Sequence, residues 1–134
     1  MLNSNFTQQS VFIVGEGSLL DDGVTQLLTT KTNSLVSRAI HSDEFSIKSN
    51  QSNVILICES GSMDVTHILD LIFSHPMTAI LLIMIIRLRN NVIDVYARPA
   101  FVAGRMSDSP QRIVARTGDD LLNVLWQNSN VTAA

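Results

Sequence analysis

Three uninterrupted apolar runs, VFIV at 11–14, VILIC at 54–58 and TAILLIMII at 78–86, constrain this chain more than any other feature. A strand with one wet face alternates apolar and polar residues. These runs do not alternate, so both of their faces must be buried. The segments between them supply the cover. Behind the turn GEGS, Leu20, Val24, Leu27 and Leu28 recur at helical spacing, and Ser18 with Asp21 three positions later has the spacing of a capping box. Val65, Ile68, Leu69, Ile72 and Phe73 form a second apolar stripe, which Pro76 stops. SLVSRAI at 34–40 adds a further strand, and the serine-rich run 41–53 reads as a loop with at most a short helix at 43–47. Strands alternating with helices predict an α/β fold, a flavodoxin-like doubly wound sheet in which strands one to four are parallel.

The pattern changes after residue 86. Strand character continues on both sides of LRNN, yet a parallel crossover needs roughly a dozen residues, so an antiparallel hairpin is added on the C-terminal side. A two-residue turn at Asn90 and Asn91 predicts Arg87 opposite Asp94 and Ile86 opposite Val95. Pro99 predicts a bulge or a sheet edge, PQRIVAR at 110–116 one more short strand, and Thr117 with Asp120 the capped start of a last helix.

At 134 residues the chain has length for one core, and 46% hydrophobic against 16% charged residues predicts a packed domain, placed at 11–127, with flexible termini at 1–10 and 128–134. The single cysteine, Cys58, excludes an internal disulfide, and a cytoplasmic setting is expected. The longest uncharged apolar stretch is too short to cross a bilayer, so no membrane association is expected.

Taken together, VFIVGEGSLLDDGVTQLL, NVILICES and the amphipathic helix that follows resemble the receiver domain of bacterial two-component response regulators, over roughly 11–86. The resemblance implies an acidic pair after the first strand that binds magnesium and an aspartate ending the third strand that accepts phosphate. It also implies a Thr or Ser ending the fourth strand and a Lys-Pro pair after the fifth. Here the acidic-pair positions read Gly15 and Glu16, and the acceptor position reads Cys58 with Glu59 beside it. The fourth strand ends without a hydroxyl, and Arg98–Pro99, which resembles the Lys-Pro pair, follows a hairpin instead of a crossover. Gly15, Glu16, Cys58 and Glu59 therefore form a degenerate receiver pocket. Glu16 and Glu59 leave only a weak two-carboxylate possibility for magnesium, so no metal, no cofactor and no catalytic residue is expected.

Other motifs carry less. GEGSLLDDG lacks the third glycine of a dinucleotide fingerprint, His41, His67 and His75 have no metal-ligand spacing, and ESGSM is not a nucleophile elbow. Charge is more informative. Six of the nine basic residues lie between 87 and 116 against Asp94 and Asp108, a local +4 in a chain of net charge −3. Arginine is enriched at interfaces, so Arg87, Arg89, Asp94, Tyr96 and Arg98 are the expected interaction face for a protein partner or a second copy. Overall negative charge and few aromatics disfavour nucleic acid. The expectation is a non-enzymatic, receiver-like signalling or regulatory module without the phosphoacceptor aspartate, acting by protein–protein contact. The alternative is a small-molecule or nucleotide-binding α/β domain using the loops after the first and third strands.

Overall fold

The computed structural model describes residues 10–39, 54–60, 63–73, 82–97, 101–102, 105–106 and 110–128. Its elements are β1 (Ser10–Val14), α1 (Leu19–Lys31), β2 (Leu35–Ala39), β3 (Val54–Cys58), α2 (Val65–Phe73), β4 (Leu82–Arg87), β5 (Val92–Ala97), β6 (Phe101–Val102), β7 (Arg105–Met106), β8 (Gln111–Val114) and α3 (Gly118–Asn128). The loop and short helix expected within 41–53, the start of the fourth strand at 78–81, Arg98 with Pro99, and both expected flexible ends apart from Ser10 and Asn128 lie outside the described residues.

Six strands form one sheet in the order β2-β1-β3-β4-β5-β8. The first four are parallel, and β5 and β8 each run antiparallel to the neighbour before them. The protein is thus α/β with a mixed sheet. All five residues of β3 are buried, as its unbroken apolar run requires. On one face, α1 and α3 pack Val24, Leu28, Leu121, Leu122 and Leu125 against Ile13, Leu56, Met84 and Ile93. On the other, α2 packs Val65 and Leu69 against Phe12, Ile55, Ile57, Ile83 and Ile85. Each such Leu, Ile or Phe contributes about 1.5–3 kcal/mol when fully buried.

Both capping boxes form. Ser18 caps α1 with reciprocal Asp21 contacts. At α3 the Thr117 hydroxyl accepts from the Asp120 amide at 3.2 Å while Asp120 accepts from the amides of Arg116 and Thr117 at 2.8 and 3.2 Å.

The hairpin forms, but its register differs by two residues from the expected one. Arg87 stands opposite Val92, and Asp94 opposite Ile85. The connection uses four residues, a 3-10 turn at Leu88–Asn90 followed by Asn91 at φ 54°. Asparagine tolerates that left-handed conformation. Because side chains repeat every second residue, a shift of two leaves each residue on its expected face. Ile86, Ile93 and Val95 accordingly remain on the α1 side. A short ladder of β6 on β7 makes a separate two-stranded sheet.

Candidate functional site

Ligand sites of open α/β sheets lie beyond the carboxyl ends of their parallel strands. Here that rim divides into two sides, and each holds an ion-paired cluster.

On the α1 side the chain leaves β1 at Gly15, passes Gly17 at φ 79° and enters α1 at Ser18. Asp21, in the first turn, folds back over this loop and is 1% exposed. It accepts hydrogen bonds from the amides of Gly17 at 3.0 Å and Ser18 at 2.7 Å, from the Ser18 hydroxyl, and from Arg38 Nη2 at 2.9 Å. Arg38 reaches Asp22 as well, at 2.8 Å. Alternation explains the geometry: Val36 and Arg38 occupy the same side of β2, and Val36 packs on the α1-side core. Burial pushes the Asp21 carboxyl up, but the hydrogen bonds from Ser18, Arg38 and the Gly17 amide outweigh it and hold the group below the ordinary carboxylate range. Gly15 is the residue this arrangement demands, since a Cβ there would lie 2.4 Å from Asp21 Cγ and Oδ2.

Cys58 ends β3 on the same side and is 1% exposed. Burial, reinforced by the negative charge of Asp21, pushes its thiol up to about 12. At neutral pH it is a small apolar side chain and not a nucleophile.

On the α2 side four charged residues form a ladder of alternating sign across four strands. Glu59, just past β3, pairs with Arg87 at the end of β4. Arg87 Nε donates to Asp94 Oδ2 on β5 at 2.8 Å, and Arg112 of β8 grips the same carboxylate through Nε at 2.7 Å and Nη2 at 3.0 Å. Asp94 is 1% exposed beneath these two guanidinium groups. The hydrogen bonds from Arg112, opposed by burial and aided by Arg87, hold its carboxyl below the ordinary range. Burial raises the neighbouring Tyr96 phenol, and the Asp94 charge adds to that.

Of the residues expected to make a receiver pocket, Gly15 is packed under Asp21, Glu16 is exposed after β1, Cys58 is buried, and Glu59 is held by Arg87. Among the described residues, no three His, Cys, Asp or Glu side chains gather as a metal site. Of the expected interaction face, Asp94 and Tyr96 are buried, Arg87 is committed to two carboxylates and Arg89 is exposed in the turn, while Arg98 lies outside the described residues. Sequence reasoning missed Asp21 with Arg38 and the place of Arg112. A capping box accounts for Asp21 completely, but Arg38 sharing a face with Val36 was a usable signal.

Among the described residues, cavities adjoin the rim on each side. A cleft of about 320 Å³, mostly apolar, lies between the starts of α1 and α3 and the hairpin, lined among others by Leu20, Val24, Leu27, Ile93 and Leu121. Leu19 at its edge is 90% exposed. A smaller, polar one of about 170 Å³ is lined by Glu59, Ser60, Met63 and Arg89. No helix among the described residues is long and apolar enough to cross a membrane.

Comparison of the chain with protein-family models, with curated proteins and with solved structures gave no match.

Proposed function

We propose that this protein is a non-enzymatic, receiver-like signalling or regulatory module of the cytoplasm, built on a flavodoxin-like scaffold and acting by contact with a protein partner or a second copy. One observation carries the reading: at the strand-end rim the acceptor position has lost its carboxylate, and Asp21 and Glu59 are committed to arginines of the same chain, with Glu16 the exposed acid of the first loop. Asp21 is bound by Arg38 over Gly15, Glu59 by Arg87, and the acceptor position holds Cys58. A buried thiol of raised pKa cannot replace an aspartate as phosphoryl acceptor, and paired carboxylates have no spare charge for magnesium. The β2-β1-β3-β4 order supports the receiver-like reading; the antiparallel β5 departs from it.

The test is an amide NMR titration with magnesium and then beryllofluoride. Unmoved resonances at Gly15, Glu16 and Cys58 are expected. Saturable shifts at both loops would restore a working metal–phosphoryl site and sink the proposal.

The apolar cleft between α1 and α3 favours a second reading, a small-molecule domain, because its volume falls in the range of ligand pockets. A ligand that raises the melting temperature and shifts Leu20, Val24 and Leu121 would select it.

A further inference from the structure

The charges on the α2 side of the rim leave a remainder. Glu59, Arg87, Asp94 and Arg112 pair with one another and sum to zero. Arg89, two residues beyond Arg87 in the exposed turn, has no ion-pair partner among the described residues, and it lines the polar cavity of about 170 Å³. Ser60 lines the same cavity, and its Oγ is shielded from solvent with no hydrogen-bond partner among the described residues. A shielded hydroxyl without a partner in the chain can donate to a group that enters the cavity. Arg87 occupies only Oε2 of Glu59, the third polar residue of the lining. The cavity thus offers a planar cationic fork, a hydroxyl and a neutralised carboxylate that can still accept.

We propose that this pocket binds free inorganic phosphate. The guanidinium of Arg89 matches two oxygens of a tetrahedral oxyanion. Ser60 donates to a third. Glu59 decides between anions: it repels one that only accepts, but it accepts from the P–OH of a phosphate still carrying a proton. Sulfate and carboxylates are fully ionised at neutral pH and have no such proton. The binding is non-covalent and independent of the missing phosphoacceptor: it is read at Ser60, Met63 and Arg89, whereas the beryllofluoride test is read at Gly15, Glu16 and Cys58.

The experiment is an amide and arginine-side-chain NMR titration of the whole chain with inorganic phosphate at fixed ionic strength, with sulfate and phenyl phosphate in parallel arms. Saturable shifts at Ser60, Met63 and Arg89 are expected, with sulfate at least about tenfold weaker, the scale of one lost charge-assisted hydrogen bond. Phenyl phosphate, which at neutral pH has largely lost its second proton, should also bind more weakly than phosphate, and tighter binding would overturn the role given to Glu59. Arg89→Ala should weaken phosphate by at least about tenfold with an unchanged amide spectrum elsewhere, since the side chain is exposed. Arg89→Lys, which keeps the charge and loses the fork, should fall between. Ser60→Ala should lose affinity while keeping or raising the melting temperature, which a merely structural serine would not do. Shifts that never saturate, sulfate binding as tightly as phosphate, or an Arg89→Ala variant that binds like the wild type would overturn the proposal.

Discussion

Replacing Gly15 by alanine tests the packing of the strand-end rim most directly. The new Cβ would lie 2.4 Å from Asp21 Cγ and Oδ2 and 2.7 Å from Asp21 Cβ. Carbon atoms in contact prefer about 3.5–4.0 Å, so Asp21 has to retreat by about 1 Å. That retreat stretches its 2.7–3.0 Å bonds to the Gly17 and Ser18 amides and to Arg38 beyond hydrogen-bonding range. Each bond to a charged group is worth about 1.5–3 kcal/mol, and the equivalent of one or two are lost. Gly15 is not in the left-handed region, so alanine adds no backbone strain there and removes freedom from the unfolded chain, a gain of about 0.4–1 kcal/mol. The net expectation is a loss of about 2 kcal/mol, read by urea denaturation as a midpoint lowered by roughly 1 M. Gly23→Ala is the internal control. It lies within α1 with nothing within 4 Å of the added methyl, so it should gain about 0.5–1 kcal/mol. The contact should also couple to Asp21. Asp21→Ala leaves the 2.7 Å Cβ clash in place, whereas Asp21→Gly removes it, so Gly15→Ala should cost least in the Asp21→Gly background. A Gly15→Ala variant within 0.5 kcal/mol of wild type, or an equal cost in both backgrounds, would refute the reasoning.

Asp94→Asn should lower stability by about 2 kcal/mol in urea unfolding; this is less than for a fully buried pair because Arg87 keeps some contact with water. Asp21 and Asp94 both have folded pKa values below their unfolded ones, so their contribution is present above about pH 4 and is lost as pH falls through the depressed values. The acid limb of a stability–pH curve should accordingly be shallower in Asp94→Asn; an unchanged limb would mean the carboxylate is not paired in solution. Cys58, with its thiol up near 12, should resist iodoacetamide at pH 8 except at the rate of unfolding, and rapid stoichiometric labelling of the native protein would contradict its burial. Asn91→Gly should be neutral or slightly stabilising and Asn91→Val should cost at least about 1 kcal/mol, because φ of 54° is strained for a β-branched residue; equal melting temperatures would place the hairpin turn elsewhere.

The elements were legible where one physical rule dominated. Unbroken apolar runs specified the buried strands β1, β3 and β4. Capping-box spacing located the starts of α1 and α3, and the absence of room for a crossover required the hairpin. The register was not legible, because a two-residue and a four-residue loop bury the same side chains and sequence alternation cannot separate them. Burial of charge was not legible either. Asp94 between Ile93 and Val95 reads as the solvent-facing partner of Arg87, and its burial depends also on a second, long-range partner, Arg112 on β8. For the same reason Arg87 reads as surface charge until Glu59, distant in sequence, is placed beside it.

The hairpin accounts for the difference between this rim and one that could switch. A crossover strand beside β4 would bring its own loop to the carboxyl ends of the parallel strands. An antiparallel β5 brings its start there instead, immediately after the turn, and Asp94 and then Arg112 extend a neutral ladder away from Glu59. A ligand shifts a conformational equilibrium only by its differential affinity for two states. Magnesium or a phosphoryl group acting at this rim would first have to displace guanidinium groups from buried carboxylates, losing on Arg87 and Arg38 much of what it gained. A group that binds Arg89 displaces no ion pair among the described residues. If the hairpin responds to any small anion, the free energy for that response is available at the turn, and the strand ends serve to hold the turn in place.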